Sequence, residues 1–186
     1  MSDATPSSTS APIYADRNSG ESFPDATRMV NAYLQRFSQR TGLTDPAHDE
    51  GSAPKPPAHD GGSAPKPPAG APLLPVLDEG GYAQVQRGSA IIGINVLEEQ
   101  GVLMVFAPVM PVPLAGRELF YRRLLELSFV TTADAAFAVN THRDEVVVRC
   151  LRRLSALDYE EFEDILATVG EVADRWDDEL LKELGG

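Results

Sequence analysis

One stretch, Gly116–Phe129, constrains the chain more than any other. It reads GRELFYRRLLELSF and is apolar around most of a helical circumference. At 3.6 residues per turn, Leu119, Phe120, Tyr121, Leu124, Leu125, Leu127 and Phe129 leave only the strip of Arg122, Arg123 and Glu126 plainly polar. A helix lying on one sheet face needs a single apolar stripe. Leu119, Phe120, Leu124 and Leu127 cover one broad arc suited to the sheet of the same subunit. Tyr121, Leu125 and Phe129 occupy another arc and call for a second surface, from this chain or from a second copy. They are the expected interface of a homodimer.

Strand-like segments flank this helix on both sides. Tyr82–Arg87 is a short candidate, and Ser89–Leu97 places Ala90, Ile92, Ile94 and Val96 on one side of the pleat. Glu98–Gly101 is a turn, and Val102–Ala107 is apolar on both faces, as a central strand is. Pro108, Pro111 and Pro113 are expected to end that strand. Ala136–Asn140 and Glu145–Leu151 form a second hairpin, with Val146, Val148 and Cys150 sharing a face. Cys150 on such a face is a buried small hydrophobe.

Helices stand at both ends of this arrangement. The first is expected within residues 22–43, with Ser22 as N-cap and Pro24 in its first turn. Ala26, Met29, Val30, Tyr33, Leu34 and Phe37 share its apolar face, and Gly42 stops it. The last begins with Asp158 and Glu161, a D-x-x-E variant of the capping box, with Leu157 and Phe162 at the staple positions. Its stripe runs from Phe162 to Leu180 and includes Trp176, which is expected to be buried on the sheet. Gly170 interrupts the stripe and should mark a close approach.

The remaining residues are of a different kind. Residues 1–21 are rich in Ser, Thr, Pro and Ala and read as a disordered tail. Residues 44–79 form a Pro-rich linker insertion. Within it AHDEGSAPKPP at Ala47–Pro57 recurs as AHDGGSAPKPP at Ala58–Pro68. Neither copy has an apolar face to stack, so the repeat reads as an extended spacer. The main α+β domain is thereby placed at residues 80–186. Its fold class is an antiparallel sheet with helices packed on it, in the order αβββαββα.

Composition narrows the function. The net charge is −12, with 28 acidic against 16 basic residues, which argues against sequence-independent nucleic-acid binding and against an anionic membrane surface. A single cysteine excludes an intrachain disulfide and fits a reducing compartment. The start of the chain has no basic and apolar leader pattern, and no apolar run has membrane-spanning length. A soluble cytoplasmic protein is expected. The patterns G-x-S-x-G, H-E-x-x-H and a Walker lysine loop are absent, as is any Cys pair for a metal. The expectation is a protein that works by binding, without catalysis, cofactor or metal.

At this point the sequence resembles a known family. FAPVMPVP at Phe106–Pro113, the leucine-rich helix after it, AAFAVN, DEVVVRCLRRL and the terminal LDYEEFEDILATVGEVADRWDDEL are similar to the class I type III secretion chaperones of the Tir chaperone type and their YbjN-like relatives. The similarity covers about residues 23–43 and 80–184. It implies a homodimer packed partly through the middle helix. It also implies that apolar patches hold an extended segment of a secreted client, by strand addition at a sheet edge. Val30, Leu34 and Phe37 on the first helix, and Ile91, Val102 and Met104 on the strands, are the residues this would use. The second function implied is that of a YbjN-like regulatory protein with a folded partner.

Overall fold

The computed structural model describes residues 14–42, 75–130 and 132–184. The start of the tail (1–13) and the whole tandem repeat lie outside the described residues. A two-stranded hairpin comes first, β1 (Tyr14–Ala15) and β2 (Ser22–Phe23), followed by α1 (Ala26–Thr41). Then come β3 (Tyr82–Arg87), β4 (Ala90–Leu97), β5 (Val102–Pro111), α2 (Arg117–Val130), β6 (Ala136–Asn140), β7 (Glu145–Arg153) and α3 (Tyr159–Leu184). The five longer strands form one antiparallel sheet in the order β3-β4-β5-β7-β6. The expected class and the order from α1 onward are those observed.

Register assigns the two faces of the sheet. Ile94 pairs with Val105 and Val105 with Cys150, so these three residues share a face. That face is buried under α3, which packs on β4, β5 and β7, with α1 against α3 and β4. Phe162, Leu166, Val169 and Leu180 of α3 are buried there, as are Met29, Val30, Leu34 and Phe37 of α1. Burying a side chain of this size is worth about 1.5–3 kcal/mol, so the two helix stripes contribute much of the hydrophobic stabilisation. Gly170 is the close approach expected of it: an added Cβ would lie 3.3 Å from side-chain carbons of Arg87 and Ile92.

Four local expectations are corrected. Tyr14–Ala15 is a strand inside the stretch read as a tail, and the β1–β2 loop after it is held by a buried Asp16. Residues 75–79 belong to the fold, since Leu77 is buried and its N–H donates to Asn31 Oδ1 at 2.9 Å. The N-cap of α1 is Asp25, whose carboxylate accepts from the Arg28 N–H at 2.7 Å; Ser22 instead belongs to β2. The prolines do not stop β5. The strand continues through Pro108 to Pro111 along β7, with a register shift between Pro108 and Met110. Its pairing to β4 ends at Phe106, so beyond that point β5 is bonded on one side only, where a proline is tolerated.

Candidate functional site

α2 lies beside β6 rather than flat on the sheet. Phe120, Leu124 and Leu127 are buried in the common core, and the Phe137 N–H donates to Ser128 Oγ at 3.0 Å. Arg117 at one end pairs with Asp144 in the β6–β7 turn at 2.7 Å. Arg123 ties α2 to Glu183 of α3 through two bonds of 2.8 and 3.0 Å, and holds the Glu183 carboxyl below the usual carboxylate range. The helix is thus fixed by its narrow arc. Leu125 is 72% exposed and Phe129 88% exposed. Tyr121, the third expected interface residue, is half-buried, with its ring 6.1 Å from that of Phe120. Leu119 departs from expectation: it is 75% exposed, not packed on the sheet. The wheel explains this, because the core arc is narrow and centred between Leu127 and Leu124, leaving Leu119 beyond its flank.

The second sheet face is half covered. Gly93 of β4 pairs with Phe106 of β5, and the Phe106 ring lies across the bare glycine; an added Cβ would sit 2.6 Å from the ring. The Tyr82 ring stacks beside it at 6.4 Å. The Gln84 amide donates to the Tyr82 hydroxyl at 2.5 Å. Ile91, Val102 and Met104 lie on this same face by register and are half-buried. Leu151, opposite Met104, is exposed. The other three residues named for a client, Val30, Leu34 and Phe37, are fully buried on the inner face of α1, on the opposite side of the sheet. Their surface is already used by the core of this same chain. Among the described residues β3 has a strand neighbour on one side only, which leaves its outer edge for an added strand.

A third feature was not legible in the sequence. Between β7 and the start of α3 lies a cleft of about 310 Å³, lined by Asp134, Cys150, Arg152, Glu160, Glu161 and Asp164 among others. The Arg152 guanidinium donates to Glu161 Oε1 at 2.8 Å and to the Asp134 carboxylate, and reaches Cys150 Sγ at 3.1 Å. Burial pushes the Cys150 thiol pKa up, as suits a packed hydrophobe and not a nucleophile. Among the described residues no group of three or more His, Cys, Asp or Glu side chains is placed to hold a metal ion. None of their helices is long and apolar enough to cross a membrane.

The profile of the Tir chaperone protein (CesT) family matches residues 75–177, more than half of the chain. The chain belongs to that family of type III secretion chaperones. Its fold is similar to that in the crystal structure of the ExsC–ExsE complex, with 22% identity over 82% of this chain and 94% of that one, and a TM-score of 0.57. It is also similar to the Yersinia pestis type III secretion chaperone SycH in complex with a stable fragment of YscM2, with 13% identity over 78% of this chain and 98% of that one, at a TM-score of 0.48. No curated protein sequence matches the chain.

Proposed function

We propose that this chain is a non-enzymatic type III secretion chaperone that acts as a cytoplasmic homodimer and holds an extended segment of a secreted client. Family membership carries this reading. ExsC, which has the same fold, is crystallised with ExsE, an association of the kind expected here. The client would lie across the half-covered face at Ile91, Val102 and Met104 and add a strand at the free edge of β3. Backbone pairing supplies affinity with little sequence demand, and the apolar side chains supply pockets. Leu125 and Phe129, flanked by Tyr121, would meet their own copies across a two-fold axis. Leu119 adds to that exposed apolar surface.

The test is purification of the chain with its client from the native host, followed by limited proteolysis. The expected outcome is a protected client fragment that has no cooperative fold once released. Met104→Glu is expected to abolish that protection while the circular dichroism of the chaperone stays unchanged. A retained partner that is folded on its own would favour the regulatory reading and overturn this one.

A further inference from the structure

The hairpin at the start of the described chain is fastened by one carboxylate. Asp16 Oδ1 accepts the N–H groups of Asn18 and Ser19 at 2.9 and 2.8 Å, which shapes its own loop. Oδ2 accepts the N–H of Tyr159 at 3.0 Å, 143 positions away. Tyr159 is the first residue of α3, and its N–H is one of those a helix cannot satisfy internally. Asp158 caps only the Glu161 N–H, at 2.9 Å. The first turn of α3 is therefore completed by two acids, one of them from the far end of the chain.

The same seam is aromatic. The Phe23 ring meets the Tyr33 ring edge-on at 5.9 Å, and Tyr33 meets Tyr159 at 5.8 Å and Phe162 at 5.7 Å. The Arg36 guanidinium lies 3.9 Å above the Tyr159 ring. Beyond the seam, Glu161 of that same first turn holds Arg152, and Arg152 touches the buried Cys150. A continuous set of contacts thus runs from the β1–β2 loop through the start of α3 to the cleft floor.

We infer that residues 14–23 are a clasp: while Asp16 is docked, the first turn of α3 is ordered and Glu161 locks Arg152 over Cys150, and when the clasp lifts the cleft opens. The inference does not depend on the identity of any client. It gives the chain a built-in device by which an event at its N-terminal arm changes the surface at the start of α3.

Cys150 is the only thiol in the chain, so it reports the cleft without engineering. The experiment follows the rate of Cys150 reaction with an aromatic disulfide reagent in the full chain and in Asp16→Ala, Asp16→Asn and Phe23→Ala. Phe23→Ala loosens the arm while leaving the carboxylate, and stands in if Asp16→Ala fails to fold. The expected result is a rate at least tenfold higher in Asp16→Ala, and a smaller rise in the other two, with unchanged far-ultraviolet circular dichroism. The Tyr159–Phe162 amides should exchange faster in parallel. An unchanged thiol rate would overturn the clasp. So would a rise whose urea dependence equals that of global unfolding, since the cleft would then open only when everything does.

Discussion

Placing a charge on the exposed arc of α2 gives the sharpest test of the proposed dimer. Leu125 is 72% exposed, so in a two-fold interface most of its side chain is still available for burial. Complete burial of a leucine is worth about 1.5–3 kcal/mol, and the exposed share is therefore worth about 1–2 kcal/mol for each copy. Two copies bring the apolar loss in Leu125→Glu to about 2–4 kcal/mol. Each carboxylate that enters the interface unpaired adds a desolvation cost of several kcal/mol, or else takes up a proton. The total exceeds about 4 kcal/mol, and at 1.4 kcal/mol per decade the dimer is weakened by about a thousandfold or more. The folded subunit should barely register the change, because Leu125 contributes little to its core. Multi-angle light scattering over a dilution series is the assay, with circular dichroism as the control for folding. Arg28→Glu, on the exposed side of α1, provides a charge change that the apolar argument does not weight. A parent protein that remains monomeric at high micromolar concentration refutes the reasoning, as does a variant that dimerises with the parent's affinity.

Further outcomes follow from single side chains. Burial by itself would raise the Asp16 pKa; the N–H groups of Ser19, Tyr159 and Asn18 and the nearby Tyr33 phenol outweigh it and lower the value from 3.8 to about 2. The folded-state value is depressed, so its contribution, about 2 kcal/mol, is present above pH 4 and is lost as pH falls through about 2. Urea midpoints should show a gap between the native chain and Asp16→Asn that narrows from pH 5 to pH 2.5; a constant gap would count against this account. Trp176 is buried edge-on against Phe137 at 6.2 Å, and its indole N–H has no partner among the described residues. Trp176→Ala should cost about 3–5 kcal/mol and Trp176→Phe much less, because no hydrogen bond is lost with the indole. Gly170→Ala should be neutral or stabilising by up to about 1 kcal/mol, since the helix gains propensity and the contact at 3.3 Å includes a flexible Arg87 carbon. Gly88→Ala should destabilise by about 1–2 kcal/mol, because φ is +60° and the new Cβ would meet the Asp174 carboxylate that holds Ser89. Thermal melts of the two glycine variants, run side by side, check the opposite signs.

What the sequence made legible was periodic and local. Ala90, Ile92, Ile94 and Val96 alternate along β4, and the stripe from Phe162 to Leu180 repeats at helical spacing in α3. The Asp158 cap is written within four residues of chain, and the structure uses it. The limits of β5 depart from the sequence pattern for a non-local reason. Whether Pro108 can sit in a strand depends on which neighbour is missing, and β4 stops pairing at Phe106. Likewise, β6 and β7 are adjacent in sequence, yet β7 is the one inserted beside β5. No pattern within a single segment encodes that choice.

The candidate surfaces divide along the same line. An over-apolar helix calls for a second surface, but which residues would face it depends on where the helix is anchored. Arg117 and Arg123 pin α2 to the β6–β7 turn and to α3, and that orientation carries Leu119 out into solvent. For α1 the reverse applies. Val30, Leu34 and Phe37 make an apolar face that suits a partner as well as a core, and only the docking of α1 on α3 and β4 decides that they are core. Asp16 did leave a local trace, since D-R-N-S-G is a turn whose acid can accept the following N–H groups. Its second bond, to Tyr159, lies at the other end of the sequence and becomes visible only when the chain is closed on itself. A residue within a tail-like composition therefore completes the longest of the described helices, and an N-terminal truncation at residue 21 should loosen the start of α3 instead of trimming an inert extension. Exchange of the Tyr159–Phe162 amides in such a truncation is the measurement, and protection equal to that of the full chain would show that the helix closes without its distant acid.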